Sequence, residues 1–177
     1  MGAKGVGAAA LTSLVRHTAR TASDYDRRPA QVLARVDAAL KRRPSLSVCT
    51  ALCMRISDEV GTIAAGGHPL PLRLSEEGVS PLGDHGALLG AFPNVDRSEH
   101  QFTMRPGETL VAFTDGVTDT VGKDGERFGT ARLERLLAEL HTQSPHAICR
   151  DMLTALEDFQ VGPQADDTAT IAMRFTG

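Results

Sequence analysis

Apolar residues recur at Leu11, Leu14, Val15 and Ala22, a helical period that predicts a first helix from residue 6 to about 21. A polar loop of Ser23, Asp24, Tyr25 and Asp26 is expected next. Pro29 suits the first turn of a second helix, where its missing N–H costs nothing. The apolar face of that helix is Val32, Leu33, Val36 and Leu40, and Pro44 is expected to end it. The period then shifts to two. Leu46, Val48, Thr50, Leu52, Met54 and Ile56 share one face of a predicted strand over 46–56. Asp58-Glu59-Val60-Gly61 reads as a hairpin turn, with the chain returning through 62–65. Shorter extended pieces are expected at 70–74, 79–82, 102–104 and 110–113, the last two flanking the turn Arg105-Pro106-Gly107-Glu108. Leu133, Leu136, Leu137 and Leu140 stripe one further helix; Ile148, Met152, Leu153, Leu156 and Phe159 stripe another. A closing strand carries Ala169, Ile171, Met173 and Phe175 on one face.

Helices, then strands, then helices, then a strand argue for an α+β fold, an antiparallel sheet covered by helix pairs, rather than alternating βαβ units. A chain of 177 residues is one domain with room for a real core. Its basic residues are dispersed and its formal net charge is −3, which excludes an electrostatic nucleic-acid footprint. The apolar stretches fall short of the ~18 residues that span a bilayer, and no charged start precedes a long apolar run. Cys49, Cys53 and Cys149 do not form a disulfide framework, so a reducing cytoplasm is expected. Cys49 and Cys53 fall on one strand face without a second Cys or His pair, as small core residues rather than zinc ligands.

The chemistry concentrates in two acidic segments. In Phe113-Thr114-Asp115-Gly116-Val117-Thr118-Asp119 a buried-looking strand delivers Asp115 to its end, Gly116 allows a sharp turn, and Asp119 lies four residues on. In Gln164-Ala165-Asp166-Asp167-Thr168, adjacent acids precede the last strand and repel unless a cation or solvent screens them. Converging strand-end carboxylates are what magnesium and manganese require, since these ions favour oxygen ligands. By local pattern alone, an isolated Asp-Gly is usually a turn and Asp-Asp before a strand is usually a solvated loop or cap. Other motifs point nowhere. Gly5-Val6-Gly7-Ala8-Ala9-Ala10 matches a loose dinucleotide pattern but lacks a preceding strand, and an EF-hand over Asp115 to Glu126 would need Gly where Thr120 stands. His68, after two glycines and before Pro69, reads as a turn residue.

The ordered set Ala65-Gly66-Gly67-His68-Pro69, Leu88-Leu89-Gly90-Ala91-Phe92, Arg105-Pro106-Gly107-Glu108, Phe113 to Asp119, Arg127-Phe128-Gly129 and Asp166-Asp167-Thr168 resembles the SpoIIE branch of PPM-class protein serine/threonine phosphatases. It spans essentially the whole chain. The resemblance implies a four-layer α-β-β-α fold, a β-sandwich flanked by helix pairs, here lacking its first strands. It implies a two-metal site for Mn²⁺ or Mg²⁺, with Asp115 and Asp166 as metal ligands and Asp119 holding a more weakly bound additional ion. No protein side chain acts as nucleophile in that picture. The substrate implied is phosphoserine or phosphothreonine on a partner protein, in this branch an anti-sigma-factor antagonist, which places the chain in sigma-factor regulation; a homodimer through helices also follows. In the family a Gly-Asp-Val segment, whose Asp bridges both ions, precedes the glycine-rich turn, whereas this chain opens Met1-Gly2-Ala3-Lys4-Gly5. A domain partial at its N-terminus is therefore expected over 1–177, and a catalytically silent regulatory or binding module on the same scaffold is the alternative.

Overall fold

In the computed structural model the first helix runs beyond the apolar period that predicts it. The elements are α1 (Val6–Tyr25), α2 (Pro29–Lys41), β1 (Ala51–Ser57), β2 (Val60–Gly66), β3 (Leu72–Ser75), β4 (Gly78–Pro81), β5 (His100–Thr103) and β6 (Thr109–Phe113). They continue with α3 (Asp115–Asp119), α4 (Gly129–Leu140), α5 (Pro145–Phe159) and β7 (Thr170–Arg174). The structure describes residues 6–43, 45, 47–162 and 166–177. The glycine-rich turn at 1–5, Pro44 as a helix stop, Leu46 at the strand start and Gln164-Ala165 before the acidic pair lie outside the described residues.

Residues 23–25 belong to α1, not to a loop. Ser23 Oγ donates to the Ala19 carbonyl at 2.8 Å and the Asp26 N–H to the Ala22 carbonyl at 2.8 Å, so the polar residues extend the last turn. At α2, Pro29 takes the first helical position and the N–H of Ala30, which has no partner within the helix, donates to Glu99 Oε1 at 2.9 Å. A carboxylate from 69 residues away thus satisfies an orphan donor and meets the positive end of the helix.

The chain divides into two compact units, Met1–His68 with Gly83–Thr103, and Pro69–Leu82 with Met104–Gly177. In the first, antiparallel β1, β2 and β5 form a three-stranded sheet, and α2 packs on β1 and β2 and against α1. Its core is Leu33, Val36, Leu40, Ala64 and Leu89, with Leu11, Leu14 and Val15 of α1 against it. Only the second half of the expected long strand is a ladder; before Ala51, Cys49 makes a single bridge to Leu89. Its core face is Cys49, Ala51 and Cys53, while Val48 and Ile56 are exposed. The hairpin turn tightens to Asp58-Glu59, with Asp58 at φ 54°, and Val60 already pairs with Ser57.

In the second unit the order is β4-β3-β6-β7, all antiparallel. Leu133 and Leu137 of α4 and Ile148, Met152 and Leu156 of α5 close over Leu72, Leu74, Val111 and Phe113. Leu153, placed by its spacing on the α5 core stripe, is exposed instead. In the last strand, α5 packs on β7 and Ala172 joins the core, whereas Ile171 and Met173 are exposed. Period two defines the two faces of a strand but not which one is covered. No described helix is long and apolar enough to cross a membrane.

Candidate functional site

Strands β6 and β7 are in register from Thr109↔Arg174 to Phe113↔Thr170, and the segments just beyond that last pair are the two acidic ones. Thr114 ties them. Its N–H donates to the Ala169 carbonyl at 3.0 Å, its Oγ1 donates to the Asp167 carbonyl at 2.9 Å and accepts from the Ala169 N–H at 3.0 Å. Asp115 and Asp166 therefore sit at the same end of one strand pair. The Asp166 carboxylate is turned by its own backbone, since Oδ1 accepts from the Asp167 N–H at 2.8 Å.

Gly116 has a steric reason rather than a torsional one. A Cβ there would lie 2.6 Å from the Asp167 carbonyl oxygen and 3.0 Å from its carbon, so a side chain would push the acidic segments apart. Gly116→Ala is expected to cost about 1–3 kcal/mol, the usual range for overpacking, read as a lowered midpoint in urea unfolding.

After Thr114 the chain enters α3, a five-residue turn of helix absent from the expected elements. The Val117 N–H donates to the Thr114 carbonyl at 3.0 Å and Thr120 Oγ1 to the Gly116 carbonyl at 2.7 Å. Asp115 and Asp119 open and close this turn, which separates them by about 6 Å along its axis. Asp115 is exposed, and no hydrogen bond or ion pair engages its carboxylate among the described residues. Asp119 is held by Arg127, whose Nη1 lies 2.7 Å from its Oδ1. Among the described residues no three His, Cys, Asp or Glu side chains are gathered as a metal site. The fit to a divalent ion rests on the pair Asp115 and Asp166, both exposed oxygen donors on joined backbones.

Other residues singled out by spacing lie elsewhere. His68 Nδ1 stands 3.3 Å from Thr50 Oγ1, beside the turn where Gly67 donates to the Gly86 carbonyl. Burial pushes the Cys49 and Cys53 thiols up, which keeps both protonated at neutral pH and unsuited as nucleophiles. A cavity of about 470 Å³ opens at the opposite end of β6, between Glu77, Arg105 and Arg174. Arg174 spends its donors on Thr109 Oγ1 and on the His141 and Gln143 carbonyls at the end of α4, which makes it a cap for that helix.

Two antiparallel sheets with helices are the fold of PP2C-type phosphatase domains. The SiaA PP2C domain of Pseudomonas aeruginosa superposes with a TM-score of 0.86 at 23% identity, over 97% of this chain and 71% of that one. The RsbU and RsbW domains of Rv1364c from Mycobacterium tuberculosis match with a TM-score of 0.79 at 24% identity, over 97% and 49% respectively. Residues 1–176 match the family model described as stage II sporulation protein E (SpoIIE), and the chain belongs to that family. By family and fold it is a PPM-type phosphatase domain. Protein IcfG of Synechocystis is 36% identical over 72 residues, which is 40% of this chain and 11% of that protein's length.

Proposed function

We propose that the chain hydrolyses phosphoserine or phosphothreonine on a partner protein, with divalent manganese or magnesium held by Asp115 and Asp166 and a further, weaker ion at Asp119. The observation that carries this is the joining of the two acidic segments by Thr114 at one end of β6 and β7. Bound ions supply Lewis-acid charge for attack of water on a phosphoryl group. The protein's own part is positional. Buried β6 and the Thr114 bonds fix the Asp115 backbone, and the Asp166 carboxylate is oriented by the Asp167 amide. Both acids stay exposed, where a phosphorylated side chain of another protein can reach them. Family membership favours a phosphorylated anti-sigma-factor antagonist as the partner, and with it a role in sigma-factor regulation in the cytoplasm.

The test is phosphate release from a phosphoserine peptide by the 177-residue chain, with and without Mn²⁺. Release is expected to stop on chelation and to return when Mn²⁺ is restored. Mn²⁺ binding without hydrolysis would replace this reading by the catalytically silent module; no Mn²⁺ binding at all would refute the metal assignment.

A further inference from the structure

Asp119 already has a cation. Arg127 Nη1 donates to its Oδ1 at 2.7 Å, and the base of that arginine is held in place. Residues 120–128 fold back as a small hairpin in which Val121 bridges Arg127, the Phe128 N–H donates to the Thr120 carbonyl at 2.8 Å and the Gly122 N–H to the Glu126 carbonyl at 2.9 Å. Arg132 Nη1 donates to the Arg127 carbonyl at 2.8 Å, and Phe128 packs edge-on against Phe159 with centroids 5.3 Å apart. The stem is anchored while the Arg127 side chain is 68% exposed and that of Asp119 46% exposed. An ion pair this open to water is weak enough to part.

We propose that Arg127 competes with a divalent ion for Asp119. The guanidinium neutralises the acid when no ion is there and must swing into solvent when one binds, because two cations repel each other across one carboxylate. This rests on the reading above, in which Asp115 and Asp166 hold the stronger ions. Arg127 is then a positioning residue that sets the concentration at which the last ion enters.

Mn²⁺ titrations by calorimetry and by the electron paramagnetic resonance of free Mn²⁺ test this without reference to turnover. Arg127→Gln is expected to tighten the weaker binding event roughly two- to fivefold, the scale of one exposed charge pair. Asp119→Asn should remove that event in both the parent and the Arg127→Gln background, leaving the stronger event in place. The proposal is overturned if Arg127→Gln leaves the weaker affinity unchanged, or if its effect persists once Asp119 is gone. Asp115→Asn separates the two levels. Loss of the stronger event in that variant with no effect of Arg127→Gln defeats the competition alone; Mn²⁺ binding that ignores Asp115 defeats the metal reading beneath it. Arg127→Lys, which keeps the charge but loses the fork, should fall between the parent and the glutamine variant.

Discussion

Asp115→Ala is expected to lower Mn²⁺-dependent phosphate release by at least about a hundredfold, since even partners one shell out from a metal are worth 10–100-fold. The same substitution should leave stability nearly untouched. The side chain is exposed and, among the described residues, engaged by no hydrogen bond or ion pair, so the change belongs with surface substitutions of about ±0.5 kcal/mol. For a chain of this length that is a shift of about 1–2 °C in Tm. The pairing of a large kinetic loss with an unmoved melt is what distinguishes a ligand from a structural residue. Asp166→Ala should behave alike, with a slightly larger thermal effect because its Oδ1 accepts the Asp167 amide. Equal rates in the parent and the Asp115 variant, at saturating Mn²⁺, would remove the metal assignment.

The acidic segments were legible in the chain because each abuts an apolar strand whose end can be counted. What joins them was not. Thr114 has no periodic signature, and its three bonds across to 167 and 169 exist only once β6 and β7 are in register. The helix α3 was hidden for a related reason: Asp-Gly-Val-Thr-Asp contains a glycine and two β-branched residues, all weak helix formers. Tertiary context overrides that preference, with the Thr120 hydroxyl closing the turn on Gly116. Which face of β7 is covered has no signal in the chain: Ile171 and Met173 outweigh Ala172 in hydropathy, yet α5 covers the Ala172 side. By contrast the stripes of α2 and α4 held, since an i, i+3, i+4 pattern names its own buried face. Arg127 stands in the chain only as part of Arg127-Phe128-Gly129. The Asp124-Gly125 turn that carries it back to Asp119 is a recognisable hairpin signal.

Asp37 has no signal of its own in the chain, and the second large effect comes from it. It lies on the apolar face of α2 beside Val36 and Leu40, nearly buried, and three donors converge on it. The Gly90 N–H reaches Oδ1 at 2.7 Å, Arg97 Nη2 reaches the same oxygen at 3.2 Å, and Lys41 Nζ reaches Oδ2 at 2.5 Å. Arg97 is 3% exposed in its side chain and also donates to the Ala87 carbonyl at 2.8 Å, so one buried guanidinium ties 87–90 to the helix. Gly90 is needed in that tie: its φ is +80°, and a Cβ would meet the Ser47 carbonyl oxygen at 2.1 Å. Removing one partner of a buried pair leaves the other uncompensated, at about 3–5 kcal/mol. Because Lys41 and Gly90 remain, Arg97→Met is expected to cost about 3 kcal/mol in urea unfolding, the lower end of that range. Asp37→Leu with Arg97→Met should recover much of the loss, since neither charge is then left alone; a double variant as weak as the single would show that the pair itself is not what matters. The acid limb follows from the same contacts. Burial by itself raises the Asp37 pKa, but the Gly90 amide and the Lys41 and Arg97 charges outweigh it and hold the carboxyl below its ordinary value of 3.8. With the folded value depressed, the unfolded chain binds the proton more readily. The contribution is thus complete above the ordinary carboxylate range and is lost as pH falls through the folded value. Arg97→Met removes one of the lowering charges, so its stability should begin to fall at a higher pH than the parent's, a shift that unfolding midpoints between about pH 3 and 7 would resolve.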